Sequence, residues 1–180
     1  YIGEFQFKNL KMEFADGMVK GFTCENLADE GENQKLVKQV IMKNHDTLPL
    51  GEFAIGTNTT AYAMGRKYGI VDRMPILIVE KMGPHFAVGD TCYSWAEDAP
   101  MYNPDGKEMI ARENEVSALR KTDVAKAYFS CHTDITIPYH ELDSIVAYGA
   151  DGNGVDIIRD GRFVLRGTEE LNRALEGVDG

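Results

Sequence analysis

Apolar residues recur at short intervals from Phe5 to Glu25, and Asp16-Gly17 sits in their middle. An Asp-Gly pair between two such runs is a hairpin signal, because both residues tolerate the left-handed backbone that a tight turn needs. The pattern predicts strands near residues 10–14 and 18–24. Acidic side chains at residues 29–32 then precede Leu36, Val37, Val40 and Ile41, which recur at helical spacing. This predicts a helix from about residue 31 to 44. Its acidic opening and its body with Lys35, Lys38 and Lys43 suit the helix dipole. Residues 48–55 read as a short strand interrupted by Gly51 and Glu52. Residues 56–59 supply turn and cap side chains for an alanine-rich helix over 61–68, stopped by Gly69. The four-residue apolar run 76–79 follows Pro75 and reads as a strand or a buried turn.

In the second half, residues 81–104 are rich in Gly, Pro, Asp and aromatics and read as a long connection, a place where function concentrates. Asp105-Gly106 turns into a strand at 107–112, and 119–129 reads as a short helix. Ile135 and Ile137 lie two apart, as in a strand, and 144–148 is another strand. Asp151-Gly152 and Asn153-Gly154 form a turn region before a hairpin of 155–158 and 163–165 around Asp160-Gly161. Thr168 is read as the cap of a last helix, 169–175. Short strands joined by Asp-Gly turns, without a repeating βαβ pattern, predict an α+β fold. It has a mixed, largely antiparallel sheet with a few packed helices.

Length changes this picture little. A chain of 180 residues hides roughly 70% of its unfolded surface, so one domain over 1–180 needs no disulfide or structural zinc. Charge changes it more. The 29 acidic and 19 basic side chains leave a net charge of -10, which repels phosphate backbones and argues against nucleic acid as a partner. It argues nothing against metal, since carboxylates are hard oxygen ligands. No apolar stretch is long enough for a membrane span. The three cysteines, Cys24, Cys92 and Cys131, form no CxxC pair, which fits reduced thiols and a cytoplasmic location. No signal-peptide pattern opens the chain.

The most pointed chemistry is His132-Thr133-Asp134. Residues two apart on a strand face one side, so imidazole and carboxylate share a cavity there. Alone, HxD also fits an exposed strand. His85 lies in a glycine-flanked stretch and reads either as a ligand or as a core-edge histidine. Glu52 sits inside an apolar, glycine-bounded strand, where burial is costly unless a cation or donor meets it; the alternative is a solvent-facing strand edge. Glu80 closes an apolar run, with Lys81 beside it as a neutralising partner. Asp90, Tyr93, Glu97 and Asp98 make the following stretch polar. His45 follows a helix end, and His140 reads as a surface residue or a second-layer neighbour. Cys131 and His132 are adjacent and face opposite ways on a strand, a poor nucleophilic pair. Glu52, His85, His132 and Asp134 together form an oxygen and nitrogen donor set suited to zinc, cobalt or manganese. Tyr93 is a candidate fifth ligand.

Around these residues the chain resembles a known family. The segments Gly51-Glu52-Phe53-Ala54-Ile55-Gly56-Thr57-Asn58 and Glu80-Lys81-Met82-Gly83-Pro84-His85-Phe86-Ala87-Val88-Gly89, then Tyr93, His132-Thr133-Asp134 and the stretch around Asp160-Gly161-Arg162-Phe163, are similar in order to the metalloaminopeptidases of peptidase family M29 (aminopeptidase T, aminopeptidase S and PepS). The resemblance implies a two-metal exopeptidase acting on peptide amino termini through metal-activated water. It implies Glu52, His85, Tyr93, His132 and Asp134 as metal ligands, with Glu52 and Tyr93 in catalytic roles. It also implies two divalent ions, zinc or cobalt first and manganese or magnesium after them, and a homodimer. The interval from His85 to Tyr93 is one residue longer than in the family. Members are roughly twice as long, with an amino-terminal α/β domain and a first metal-binding glutamate upstream of the hairpin. With Tyr1 in place of a starting Met, the chain is therefore expected to be the carboxy-terminal catalytic part, inactive or weakly active. The competing readings are a non-catalytic metal-binding or interaction domain of the same descent, and an acidic domain with scattered histidines.

Overall fold

The computed structural model describes residues 6–90, 100–102, 104–109 and 115–178. The chain divides into two compact units, Tyr1–Glu52 with Ala87–Thr133, and Phe53–Phe86 with Asp134–Gly180.

The first unit opens on the expected hairpin, β1 (Lys11–Ala15) against β2 (Met18–Thr23), antiparallel with a bulge at Glu13/Phe14. Asp16 and Gly17 both take positive φ, 52° and 71°, the backbone that matches the twist of paired strands. Helix α1 (Glu30–Val40) begins where the Asp29 carboxylate accepts a hydrogen bond from Glu32 N, satisfying a helix-end donor. It stops short of residue 44. Ile41 and Met42 still donate to Val37 O, but Lys43 and Asn44 turn to φ 50° and 69° and break the ladder. Val37 and Ile41 are wholly buried with Val19, Met42, Leu48, Ala87 and Val88. Asn33 is buried too, its carboxamide bonded to both Leu27 N and Leu27 O. Short strands β5 (Met101–Tyr102) and β6 (Glu108–Met109) pair antiparallel. The expected strand at 107–112 is thus seen as far as Met109, and residues 110–112 lie outside the described residues. A 3-10 turn at Ser117–Lys121 and helix α4 (Val124–Ala127) stand where one short helix is expected.

In the second unit α2 (Thr59–Tyr68) is capped by Asn58, which accepts from Ala61 N, and ends at Gly69 in the left-handed conformation. Strands β8 (Ser144–Tyr148), β9 (Gly154–Arg159) and β10 (Arg162–Phe163) form an antiparallel meander. The core gathers Tyr62, Met82, Tyr139, Leu142, Ile158, Phe163 and Leu175. Tyr62 meets Tyr139 edge-on with ring centroids 5.1 Å apart, and the Tyr139 hydroxyl donates to Gly56 O at 2.9 Å. Burial pushes the Tyr139 phenol well above its ordinary value, so the hydroxyl stays a donor. Tyr139→Phe leaves that carbonyl unpaired and is expected to cost about 1–3 kcal/mol, read from urea unfolding. An unchanged midpoint speaks against the bond.

Strands β3 (Leu50–Ile55), β4 (Pro84–Gly89) and β7 (His132–Thr136) make a sheet of order β3-β4-β7. Gly89 N donates to Pro49 O and Gly56 N to Gly83 O, so β3 and β4 run oppositely; Asp90 N to Cys131 O and Ile137 N to Pro84 O show the same for β4 and β7. The α+β class with small antiparallel sheets and a few helices is therefore as expected.

Three local readings change. Residues 84–89 are a strand inside the stretch read as connection. Five of the six are buried, so the sequence lacks the alternation that marks a half-exposed strand. The run Ile76–Val79 is a single helical turn, α3, whose last two amides bond to Pro75 O, and Leu77 is 71% exposed. An apolar run that short carries no periodicity to separate helix from strand. The final helix, Glu169–Gly177, is a 3-10 helix. Thr168 does not cap it; the Thr168 hydroxyl donates backwards to Leu165 O.

Candidate metal centre

Within the first unit, β3 carries Glu52 and β7 opens on His132. Their side chains are 17% and 23% exposed, with His132 Nε2 3.8 Å from Glu52 Oε2. His132 Nδ1 lies 2.5 Å from Asp90 O. A carbonyl only accepts, so Nδ1 carries the proton, and in the neutral ring Nε2 keeps its lone pair on the Glu52 side.

Within the second unit, Glu80, His85 and Asp134 bring one donor atom each to within 4.8 Å of one another. His85 is 2% exposed, and its Nδ1 donates to Gly83 O at 3.2 Å. Its Nε2 is thereby left as the acceptor nitrogen, the same tautomer as His132. Asp134 Oδ1 is shielded from solvent. Glu80 pairs with Lys81, as expected, yet its side chain is only 14% exposed and it joins the donors. This is the residue the sequence reading missed as a ligand. The signal was present in its place, five residues before His85 at the close of an apolar run.

Glu52 and His132 are the first unit's pair of donors, a carboxylate facing an imidazole. His132 and Asp134 are two apart on β7, the one-sided placement that the HxD spacing predicts. Ligands around a tetrahedral ion with bonds of about 2.1 Å stand about 3.4 Å apart, so side-chain rotations of about an ångström close either group. Two carboxylates and one imidazole are borderline oxygen and nitrogen donors, a set that zinc, cobalt and manganese accept.

The remaining candidates divide. Tyr93 lies outside the described residues, as do Cys92, Glu97 and Asp98. Cys131 is not a nucleophile for His132: burial, and then the Asp90 carboxylate, push its thiol upward, away from the reactive thiolate. His45 packs edge-on against Phe129. His140 Nδ1 is 2.9 Å from the Tyr62 hydroxyl and its Nε2 3.5 Å from Glu141, and it is in neither donor group. A surface cavity of about 500 Å³ lined by Tyr139, His140, Glu141, Asp143, Asp160 and Arg162 includes none of the donors.

No helix among the described residues is long and apolar enough to cross a membrane. Comparison with protein-family models, curated proteins and solved structures finds no match to this chain.

Proposed function

We propose that this chain carries the metal centre of an aminopeptidase, an enzyme that removes amino-terminal residues from peptides. One observation carries the reading: in the second unit Glu80, His85 and Asp134 each bring a donor atom to within 4.8 Å of the others. In the first unit Glu52 and His132 add a carboxylate and an imidazole. Zinc or cobalt suits both sets; magnesium suits imidazole poorly. The order of the motifs around Glu52, His85, His132 and Asp134, similar to the metalloaminopeptidases, supplies the reaction class. That resemblance also supports a homodimer and Tyr93 as a further ligand, and three cysteines without a CxxC pair support a cytoplasmic setting.

Bound there, a metal pair supplies Lewis acidity and water of lowered pKa. The protein's part is placement. Asp90 O and Gly83 O hold the two imidazoles in one tautomer, with Nε2 as the ligating atom. The buried walls around His85 lower the local dielectric and strengthen every charge interaction at the donors. Glu52 would hold metal, and the resemblance also gives it a catalytic role, as the group that would carry a proton to the leaving amine.

A second reading, a metal-binding domain without catalysis, is favoured by a different observation. Glu52, Glu80 and Asp134 are all donors, so no carboxylate in either group is left over as a dedicated base. One experiment separates the readings. The chain is titrated with cobalt or zinc, then assayed on an aminoacyl nitroanilide and on the same peptide with free and acetylated amino termini. Metal binding with chelator-sensitive release from the free amino terminus alone is the expected result. Binding without release selects the non-catalytic domain, and failure to bind either metal overturns both.

A further inference from the structure

Asp90 follows β4 and grips the chain that leads into β7 at three points. Its amide donates to Cys131 O at 2.7 Å, its Oδ1 accepts from Phe129 N at 2.6 Å, and its carbonyl accepts from His132 Nδ1 at 2.5 Å. These bonds span four consecutive residues, 129–132. Among them Ser130 is held at φ 57°, a left-handed backbone that a side-chain-bearing residue keeps only when its surroundings impose it.

Two glycines bring Asp90 this close. Gly89 takes φ 108°, open to glycine alone. A Cβ on Gly51 would stand 2.5 Å from Gly89 O and 2.6 Å from Asp90 O. The residue before Glu52 is therefore bare where the carbonyl that orients His132 passes over it.

We infer that Asp90 is a positioning residue for His132: its carboxylate anchors Phe129 N and thereby fixes the carbonyl that commits the imidazole to the Nδ1–H tautomer, with Nε2 turned to Glu52. This rests on the metal reading for its consequence but not for its geometry. The carboxylate acts at a distance from the donors, through backbone, and is itself in neither donor group. Partners that orient ligating histidines typically change metal affinity 10–100-fold when removed.

The test uses the intact chain with two readouts. Long-range nitrogen–proton spectra of the metal-free protein report the His132 tautomer, and titration with cobalt alone reports affinity. Wild type is expected to show Nδ1–H at His132. Asp90→Ala is expected to lose that preference and bind cobalt about 10–100-fold more weakly. Asp90→Asn keeps an acceptor oxygen for Phe129 N and should restore both. Where Asp90→Ala does not fold, Asp90→Ser, whose hydroxyl is too short to reach Phe129 N, carries the same expectation. An Ala or Ser variant with the wild-type tautomer and affinity overturns the assignment. A tautomer change in a protein that binds no cobalt upholds Asp90 in its role and overturns the metal reading instead.

Discussion

Asp134→Asn and Glu80→Gln each remove one charged donor from the second unit's group, and both are expected to weaken cobalt binding. The expectation follows from Glu80, His85 and Asp134 bringing their donor atoms to within 4.8 Å of one another. A neutral carboxamide keeps the shape but offers one weak oxygen in place of a charged carboxylate. Wild type is expected to take up cobalt, and both variants to bind none at concentrations that saturate wild type. Thermal unfolding provides an independent reading. At a free metal concentration 100 times the dissociation constant, one bound ion stabilises the native state by about 2.7 kcal/mol. In a chain of this size that raises the midpoint by about 5–10 °C. Asp134→Asn should lose the metal-dependent rise while its metal-free midpoint stays close to wild type. If Asp134→Asn still binds cobalt with full affinity, Asp134 is not a donor and the second unit's group is wrong.

The parts of this arrangement visible in the sequence are those whose signal is local. The Asp16-Gly17 hairpin, the Asp29 cap and the Gly69 stop each follow from a residue's own backbone preference. His132 and Asp134 follow from strand alternation alone. Glu52 is conspicuous because a carboxylate amid apolar neighbours has to be explained. What stays hidden depends on contacts distant along the chain. Strand β4 shows no alternation because both of its faces are covered. Glu80 hides behind Lys81: an adjacent cation explains an acid fully until the fold sets His85 and Asp134 beside it. Asp90 is the least visible, since it orients His132 through a main-chain carbonyl, an atom every residue has. Its side chain looks like ordinary loop polarity, and only the bond to Phe129 N, 39 positions away, gives it a task. The end of α1 at Val40 belongs here too, because Lys43 carries no stop signal of its own and yet turns to positive φ just after the fully buried Ile41 and Met42.

Gly89→Ala is expected to be the costliest single methyl in the first unit. Two effects coincide at this position. The φ of 108° lies where side-chain-bearing residues are strained, a cost of about 1–3 kcal/mol. The added Cβ would also stand 2.2 Å from Cys131 O and 3.1 Å from Cys131 Sγ. The first of these is main chain, held by its bond from Asp90 N, and cannot swing aside as a flexible side chain does. The total expected loss is about 3 kcal/mol or more, at the severe end for a point substitution. Gly106→Ala is the control. Gly106 also has positive φ, 76°, but a Cβ there meets nothing within 4 Å, so only the backbone strain remains and the expected loss is about 1 kcal/mol. Urea unfolding of the two variants separates the terms. Equal losses would mean that β4 does not approach Cys131 this closely. A large gap between them confirms the close approach on which the Asp90 bonds depend. Gly89→Ala should then also loosen the His132 tautomer, because a backbone pushed away from Cys131 O takes the Asp90 carbonyl with it.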